Sequence, residues 1–433
     1  MKVGVIGAGA AGLAVARHLV PLGHEVELLE KEAEPGGVWN YARPQGRVYR
    51  STHTISSRPL TEFPDFPMPA HYPDYPHHSQ ILEYLLGYAA HFGLSGRIRF
   101  HSEVTAVAPA DAGRVDTGWT VETRDGARHR YDALVVANGH NHEPRRPKWA
   151  GQLAGTMLHS ADYRTPDILV DRRVLVVGAG NSGCDIVVEA AQVGRSALLS
   201  MRRGYHYVPK YLLGRPADQI NELALRLRVP LRTRRWIARQ LLRLGPGQPD
   251  RVGLPEPDHA LFESHPIVNS LLPYYVRHGR VRPVPDVAAL EGDRVRFVDG
   301  ETAPVDVLIA ATGYRLTFPF IDRSLLNWRD GRPDLRLNVF HPGLDTLFVA
   351  GMFQTDSGVF GILHWQGLCI AHYLRALAAG GSSMERARSR KRRMEPDLAA
   401  GIRYRETARH LLEVEHASYL RALRSAAGDL APG

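Results

Sequence analysis

At 433 residues the chain is long for a single hydrophobic core and suits two or three domains. Its 44% hydrophobic and 23% charged content excludes a disordered or fibrous class, and no apolar run approaches the roughly 20 residues of a membrane span. The net charge of +9 invites a nucleic-acid reading, but its densest cluster, RARSRKRR at 386–393, carries no interleaved aromatic platform and reads as a solvated face.

In chain order, KVGVI at 2–6 is a short β-branched strand, and residues 10–20 have helical apolar spacing. Between them stands a glycine-rich turn, Gly7, Ala8, Gly9, Ala10, Ala11 and Gly12. Its first glycine permits the tight turn, its second lets backbone approach a pyrophosphate, and its third allows helix and strand to pack closely. The phosphate then sits at a helix N-terminus, where free N–H groups favour an anion. These glycines argue against a signal peptide and for a retained mature N-terminus in a cytoplasmic protein. The second strand, EVELLEK, ends at Glu30 and Lys31, and a carboxylate about 20 residues past the glycines is placed to bind ribose hydroxyls. In EPGGVWNY the paired Gly36 and Gly37 suit backbone passing close to an extended ligand, which Val38 and Trp39 would flank.

The histidines of HYPDYPHHSQ, His71, His77 and His78, sit in a proline-rich loop without ligand spacing, and no metal is expected. RRVLVVGAGNSGCDIVVEAAQVG then repeats the glycine turn with Gly178, Gly180 and Gly183, followed by a helix over about 182–192 and a strand, SALLS. No acid ends that strand. Arg202 and Arg203 stand there instead, suiting a 2′-phosphate, so NADPH is expected over NADH. Residues 204–260 are an atypical insertion, with a basic amphipathic stretch broken at Pro230 and a hypothetical role over the substrate entrance. Cys184 and Cys369 are too few and too far apart for a disulfide framework or a redox pair, which fits a reducing compartment.

GAGAAG, LLEK, GGVW, FPDFP at 63–67, GAGNSGCD and AATGY at 310–314 follow the order and approximate spacing of the flavin-containing monooxygenases, which the chain resembles. The resemblance implies an α/β fold of two Rossmann-like dinucleotide-binding domains, the NADP domain inserted in the FAD domain. On that reading FAD occupies 1–163 and 306–433, the latter with a C-terminal helical tail, and NADP occupies 164–305. The family fingerprint matches LAGTMLHSADY, giving Gly155, His159 and Tyr163, with Leu153 where the family has an aromatic. A tyrosine at that last position separates the chain from the Baeyer–Villiger branch, which has tryptophan there.

The same resemblance places Asn181, Ser182, Gly183, Cys184 and Asp185 against NADP, and Val104 and Gln366 toward the flavin. In YRSTHTISSR it places Thr54, Ile55 and Ser56 near the flavin, but Ile55 stands where the family has a hydrogen-bonding asparagine. Either Thr54 or Ser56 is then the substitute donor, or the oxygen adduct of the flavin is shorter lived. His159 reads either as a general acid–base group or as a structural hinge.

The implied activity is insertion of one oxygen atom from O2 into a small molecule, at nitrogen or sulfur, through a C4a-hydroperoxyflavin. A flavoprotein NADPH oxidase and a non-catalytic FAD/NADPH redox sensor stay open beside it, prompted by Ile55. Homo-oligomerisation also stays open.

Overall fold

Short runs of valine, leucine and isoleucine set the centre of each half of the fold, because strands buried on both faces need helices over a parallel sheet. The computed structural model describes residues 1–111, 114–244, 252–407 and 409–431. The chain divides into two units: Met1–Gly46, Ser56–His142 and Leu316–Gly433 form the first, and Arg47–Ile55 with Glu143–Arg315 the second.

In the first unit five strands lie in the order Leu347–Val349, Ala133–Val136, Lys2–Ile6, Glu25–Leu29, Ile98–Arg99. Every neighbouring pair is parallel. The helix Ala10–Leu19 packs on the helix Phe360–Ala379, and a Cβ on Gly367 would lie 2.7 Å from the Ala14 carbonyl oxygen, so the two backbones meet where only glycine fits. A three-stranded antiparallel sheet, Val104–Asp111, Arg114–Thr123 and Arg128–Tyr131, joins the same unit.

The second unit repeats the plan, with parallel strands in the order Thr156–His159, Val307–Ala310, Arg173–Val177, Ser196–Ser200, Val281–Val284. The divisions fall at 142/143 and 315/316, where the sequence reading has 163/164 and 305/306. Strand pairing is the reason: Thr156–His159 and Val307–Ala310 pair with each other, and the latter pairs with Arg173–Val177. Residues 47–55 also lie in this unit, because the Arg50 N–H donates to the Arg164 carbonyl and the Tyr49 hydroxyl to Asp185. In the 204–260 stretch, Pro230 separates the helices Ala217–Arg226 and Leu231–Leu244, since its ring cannot continue the first. Among the described residues no helix is long and apolar enough to cross a membrane.

Candidate dinucleotide-binding sites

Gly7 has φ 104°, and a Cβ there would lie 2.6 Å from the Ala137 carbonyl oxygen. A Cβ on Gly12 would lie 1.9 Å from the Gly7 carbonyl oxygen, so the helix Ala10–Leu19 starts hard against the turn. That helix begins after Gly9 with no side-chain cap, which leaves its first N–H groups to an external acceptor. Ala8 is fully buried, and its N–H donates to Glu30 Oε2 at 2.8 Å while the Glu32 N–H donates to Oε1 at 3.0 Å. Glu30 therefore braces the turn, and each of its oxygens keeps acceptor capacity for a further donor. Burial raises the Glu30 carboxyl pKa against these bonds.

The two glycine segments of this unit meet. The Gly36 N–H donates to the Ala8 carbonyl at 3.1 Å, and a Cβ on Gly37 would lie 3.3 Å from the Gly9 Cα. Together they make a backbone-lined cradle that side chains would fill. Gly37, Val38 and Trp39 form one 3-10 turn at its edge, half-buried, while Lys31 is exposed. Ala10 and Ala11 open the helix, and Ala11 Cβ lies 2.9 Å from where a Cβ on Gly351 would sit.

Gln366 is fully buried and spends both ends of its amide inside the protein. Its Oε1 accepts from the Gly351 N–H at 2.9 Å and its Nε2 donates to the Tyr419 hydroxyl at 2.6 Å. Gln366 therefore fixes the backbone that abuts Ala11. The Val104 side chain likewise packs in an apolar cluster with Leu29 and Val107, so only its backbone remains for a ligand.

The segment expected to do chemistry is sorted by its hydrogen bonds. The Ser56 hydroxyl lies 2.8 Å from that of Thr61, whose own proton has the Ser57 carbonyl at 2.9 Å, so Ser56 is turned toward the following helix. Thr54 is buried, and its hydroxyl has no hydrogen-bond partner among the described residues. A buried hydroxyl left so costs about 1–3 kcal/mol, which a bound group supplying an acceptor or donor would relieve. Ile55 is half-buried beside it.

His159 Nδ1 accepts from the Ala161 N–H at 3.0 Å, which leaves the proton on Nε2 to donate to the Gly313 carbonyl at 3.1 Å. Burial lowers its pKa, with Arg146 adding to the effect. With both nitrogens on backbone, the His159 ring ties the strand Thr156–His159 to the AATGY turn.

The second turn copies the first. Gly178 has φ 108°, and a Cβ on Gly183 would lie 1.8 Å from the Gly178 carbonyl oxygen. The helix Asn181–Val193 starts after Gly180, again without a side-chain cap. Its polar residues mostly face inward. Asn181 donates to the Pro266 carbonyl and accepts from the Val268 N–H, at 3.1 and 2.8 Å. Asp185 accepts from the Tyr49 hydroxyl and from Asn269 Nδ2, both at 2.7 Å, and burial pushes its carboxyl pKa up. Cys184 is fully buried in the apolar cluster of this unit.

The side chains of Asn181, Cys184 and Asp185 thus pack and brace the second turn. Ser182 is exposed. So are Arg202 and Arg203, just beyond the strand Ser196–Ser200, with Arg202 Nε 4.0 Å from Asp286 and its side chain 76% exposed. Sequence reading missed Tyr49, Asn269, Gly351 and Tyr419, whose partners lie far away in the chain and leave no local signal.

Two glycine turns of one build, one braced by a buried acid and one flanked by exposed arginines, define a flavoprotein oxidoreductase of the two-dinucleotide class. The chain matches the family described as flavin-binding monooxygenase-like over residues 1–428. It is 33% identical to flavin-containing monooxygenase 3 of Macaca mulatta over 373 residues, covering 82% of this chain and 70% of that protein. Its fold is similar to the open crystal structure of cyclohexanone monooxygenase, with a TM-score of 0.73 and 20% identity over 99% of this chain and 96% of that one. It is also similar to S-allyl-L-cysteine S-oxygenase from Allium sativum, with a TM-score of 0.66 and 24% identity over 99% of this chain and 88% of that one. The chain belongs to the flavin-binding monooxygenase-like family and is an FAD-containing, NADPH-dependent monooxygenase of small molecules.

Proposed function

We propose that the chain transfers one oxygen atom from O2 to a nitrogen or sulfur centre of a small molecule in the cytoplasm. The balance is substrate, O2, NADPH and a proton giving oxygenated substrate, water and NADP+. FAD, when bound, supplies the redox chemistry of hydride acceptance and oxygen delivery. The family supports the reaction, Tyr163 in place of a tryptophan supports nitrogen or sulfur over ketone insertion, and two buried cysteines outside any disulfide suit a reducing compartment.

The first turn and Glu30 would hold the FAD diphosphate and ribose, with Gly36, Gly37, Val38 and Trp39 along the ligand. The second turn, Ser182, Arg202 and Arg203 would hold NADP. Thr54 would supply the hydrogen bond that Ile55 cannot, and Ile55 an apolar wall against water. The single observation that carries cofactor choice is the exposed Arg202 and Arg203 at the strand end where the first turn has Glu30.

The test is a panel of thioethers, tertiary amines and hydroxylamines, scored for product that gains one oxygen from labelled O2 in step with NADPH oxidation. Sulfoxide or N-oxide in stoichiometric yield supports the reading. Peroxide formed one-for-one with NADPH under every substrate, with no oxygenated product, points instead to an NADPH oxidase, the outcome Ile55 would favour.

A further inference from the structure

The FPDFP motif leaves Asp65 unassigned by either turn, and its surroundings in the first unit are unusual. His18, near the end of the helix Ala10–Leu19, and His364, on the helix Phe360–Ala379, are both 8% exposed. His18 Nε2 lies 3.2 Å from His364 Nδ1, which lies 3.2 Å from Asp65 Oδ1, and all three atoms fall within 4.8 Å of one another. The rings meet edge-on, at 84° with centroids 4.4 Å apart.

Three electron-pair donors thus converge on one point. Without a metal, a single N–H on His364 must serve both the His18 lone pair and the carboxylate. Two nitrogens and an oxygen bound to one tetrahedral zinc ion stand about 3.3 Å apart, the spacing found at two of the three edges here. We propose that His18, Asp65 and His364 bind one divalent transition-metal ion of zinc's kind.

The chemistry around the three atoms agrees. The outer oxygen of Asp65 lies 3.3 Å from Arg17 Nε, an ion pair that draws it away from the two histidines and leaves Oδ1 toward them. Arg17 and His372 are the other charged or titratable groups acting on His18, and the guanidinium charge limits how tightly a dication is held. Sequence spacing hides the site because its ligands come from positions 18, 65 and 364. The ion would clamp the helix that leaves the first glycine turn to the helix that carries Gln366.

The flavin-loaded full chain, stripped by a chelator and dialysed, is titrated with zinc chloride in competition with a chromophoric chelator. One tight equivalent per chain is expected, and His18→Gln and His364→Gln should each weaken it tenfold or more. No tight equivalent in the wild type, or an equivalent that survives in the His18→Gln/His364→Gln double variant, overturns the proposal. Should that variant not fold, the wild-type cobalt spectrum decides. Intense visible bands of a four- or five-coordinate ion, displaced by zinc, support the site, and only weak octahedral absorption refutes it.

Discussion

Replacing Gly183 by alanine tests whether the two glycine turns serve separate cofactors. The new Cβ would lie 1.8 Å from the Gly178 carbonyl oxygen, where ordinary contact begins near 3.4 Å, so the helix Asn181–Val193 must draw back from its turn. The required movement exceeds about 1 Å, and misplacement of that size costs on the order of 100-fold in a reaction that depends on alignment. The expected result is a drop of about 100-fold in kcat/KM for NADPH, or about 2.7 kcal/mol. Flavin content should hold at the wild-type level, because Gly183 belongs to the second unit and the first turn to the other. The assay pairs flavin absorbance per polypeptide with anaerobic stopped-flow reduction by NADPH. Gly12→Ala is the mirror experiment: its Cβ would lie 1.9 Å from the Gly7 carbonyl oxygen, and the protein should come out colourless. A yellow Gly12→Ala protein, or a Gly183→Ala protein that either loses its flavin or keeps it and is reduced by NADPH at the native rate, would refute the assignment.

Arg202→Ala/Arg203→Ala should lower the ratio of NADPH to NADH kcat/KM by roughly tenfold or more, since a hydrogen bond to a charged group contributes about 1.5–3 kcal/mol; steady-state kinetics with both nucleotides check it. Gln366→Leu leaves the Gly351 N–H without its acceptor and should cost about 1–3 kcal/mol, read as a lower thermal midpoint with faster flavin loss. Stability should fall on acidification through His18, because burial lowers its folded-state pKa to about 3, below the ordinary 6.5 of a free imidazole, and the unfolded chain takes up the proton first. The contribution is fully present above pH 6.5, is reduced by about 1.4 kcal/mol at pH 5.5, and keeps shrinking toward pH 3. His18→Gln should flatten that slope in chelator-treated protein, measured by denaturant unfolding from pH 7 to pH 5.5. His159→Phe should break the tie to the Gly313 carbonyl and lower stability while leaving the pH profile of kcat unshifted; a lost kinetic pKa would restore an acid–base role.

The turns were legible in the sequence because steric exclusion acts over a few residues. Gly7, Gly12, Gly178 and Gly183 stand where a Cβ meets a backbone oxygen, and no distant partner is needed to require glycine there. The strands were legible because runs such as VLVV are apolar throughout, as burial on both faces demands. Orientation was not legible. A motif puts Asn181, Asp185 and Gln366 at the right place along the chain, but which way each points depends on groups such as Pro266, Asn269 and Tyr419, more than 50 residues away. The same distance concealed Asp65, which reads as part of a proline-bounded loop until His18 and His364 close on it.

On the proposed assignment, the contrast between Glu30 and the arginine pair would give the duplicated turn two functions. Glu30 is buried and braced by two backbone N–H groups, so its oxygens are fixed toward neutral donors and would repel a 2′-phosphate. Arg202 and Arg203 sit in solvent, where a cation has little effect on folding and an arriving dianionic phosphate finds donors already charged. A buried brace suits a cofactor that stays through many turnovers. An exposed, weakly tethered cation suits one that must arrive, be oxidised and leave, so on this assignment the burial of the residue at the strand end would set the residence of each nucleotide as well as its identity.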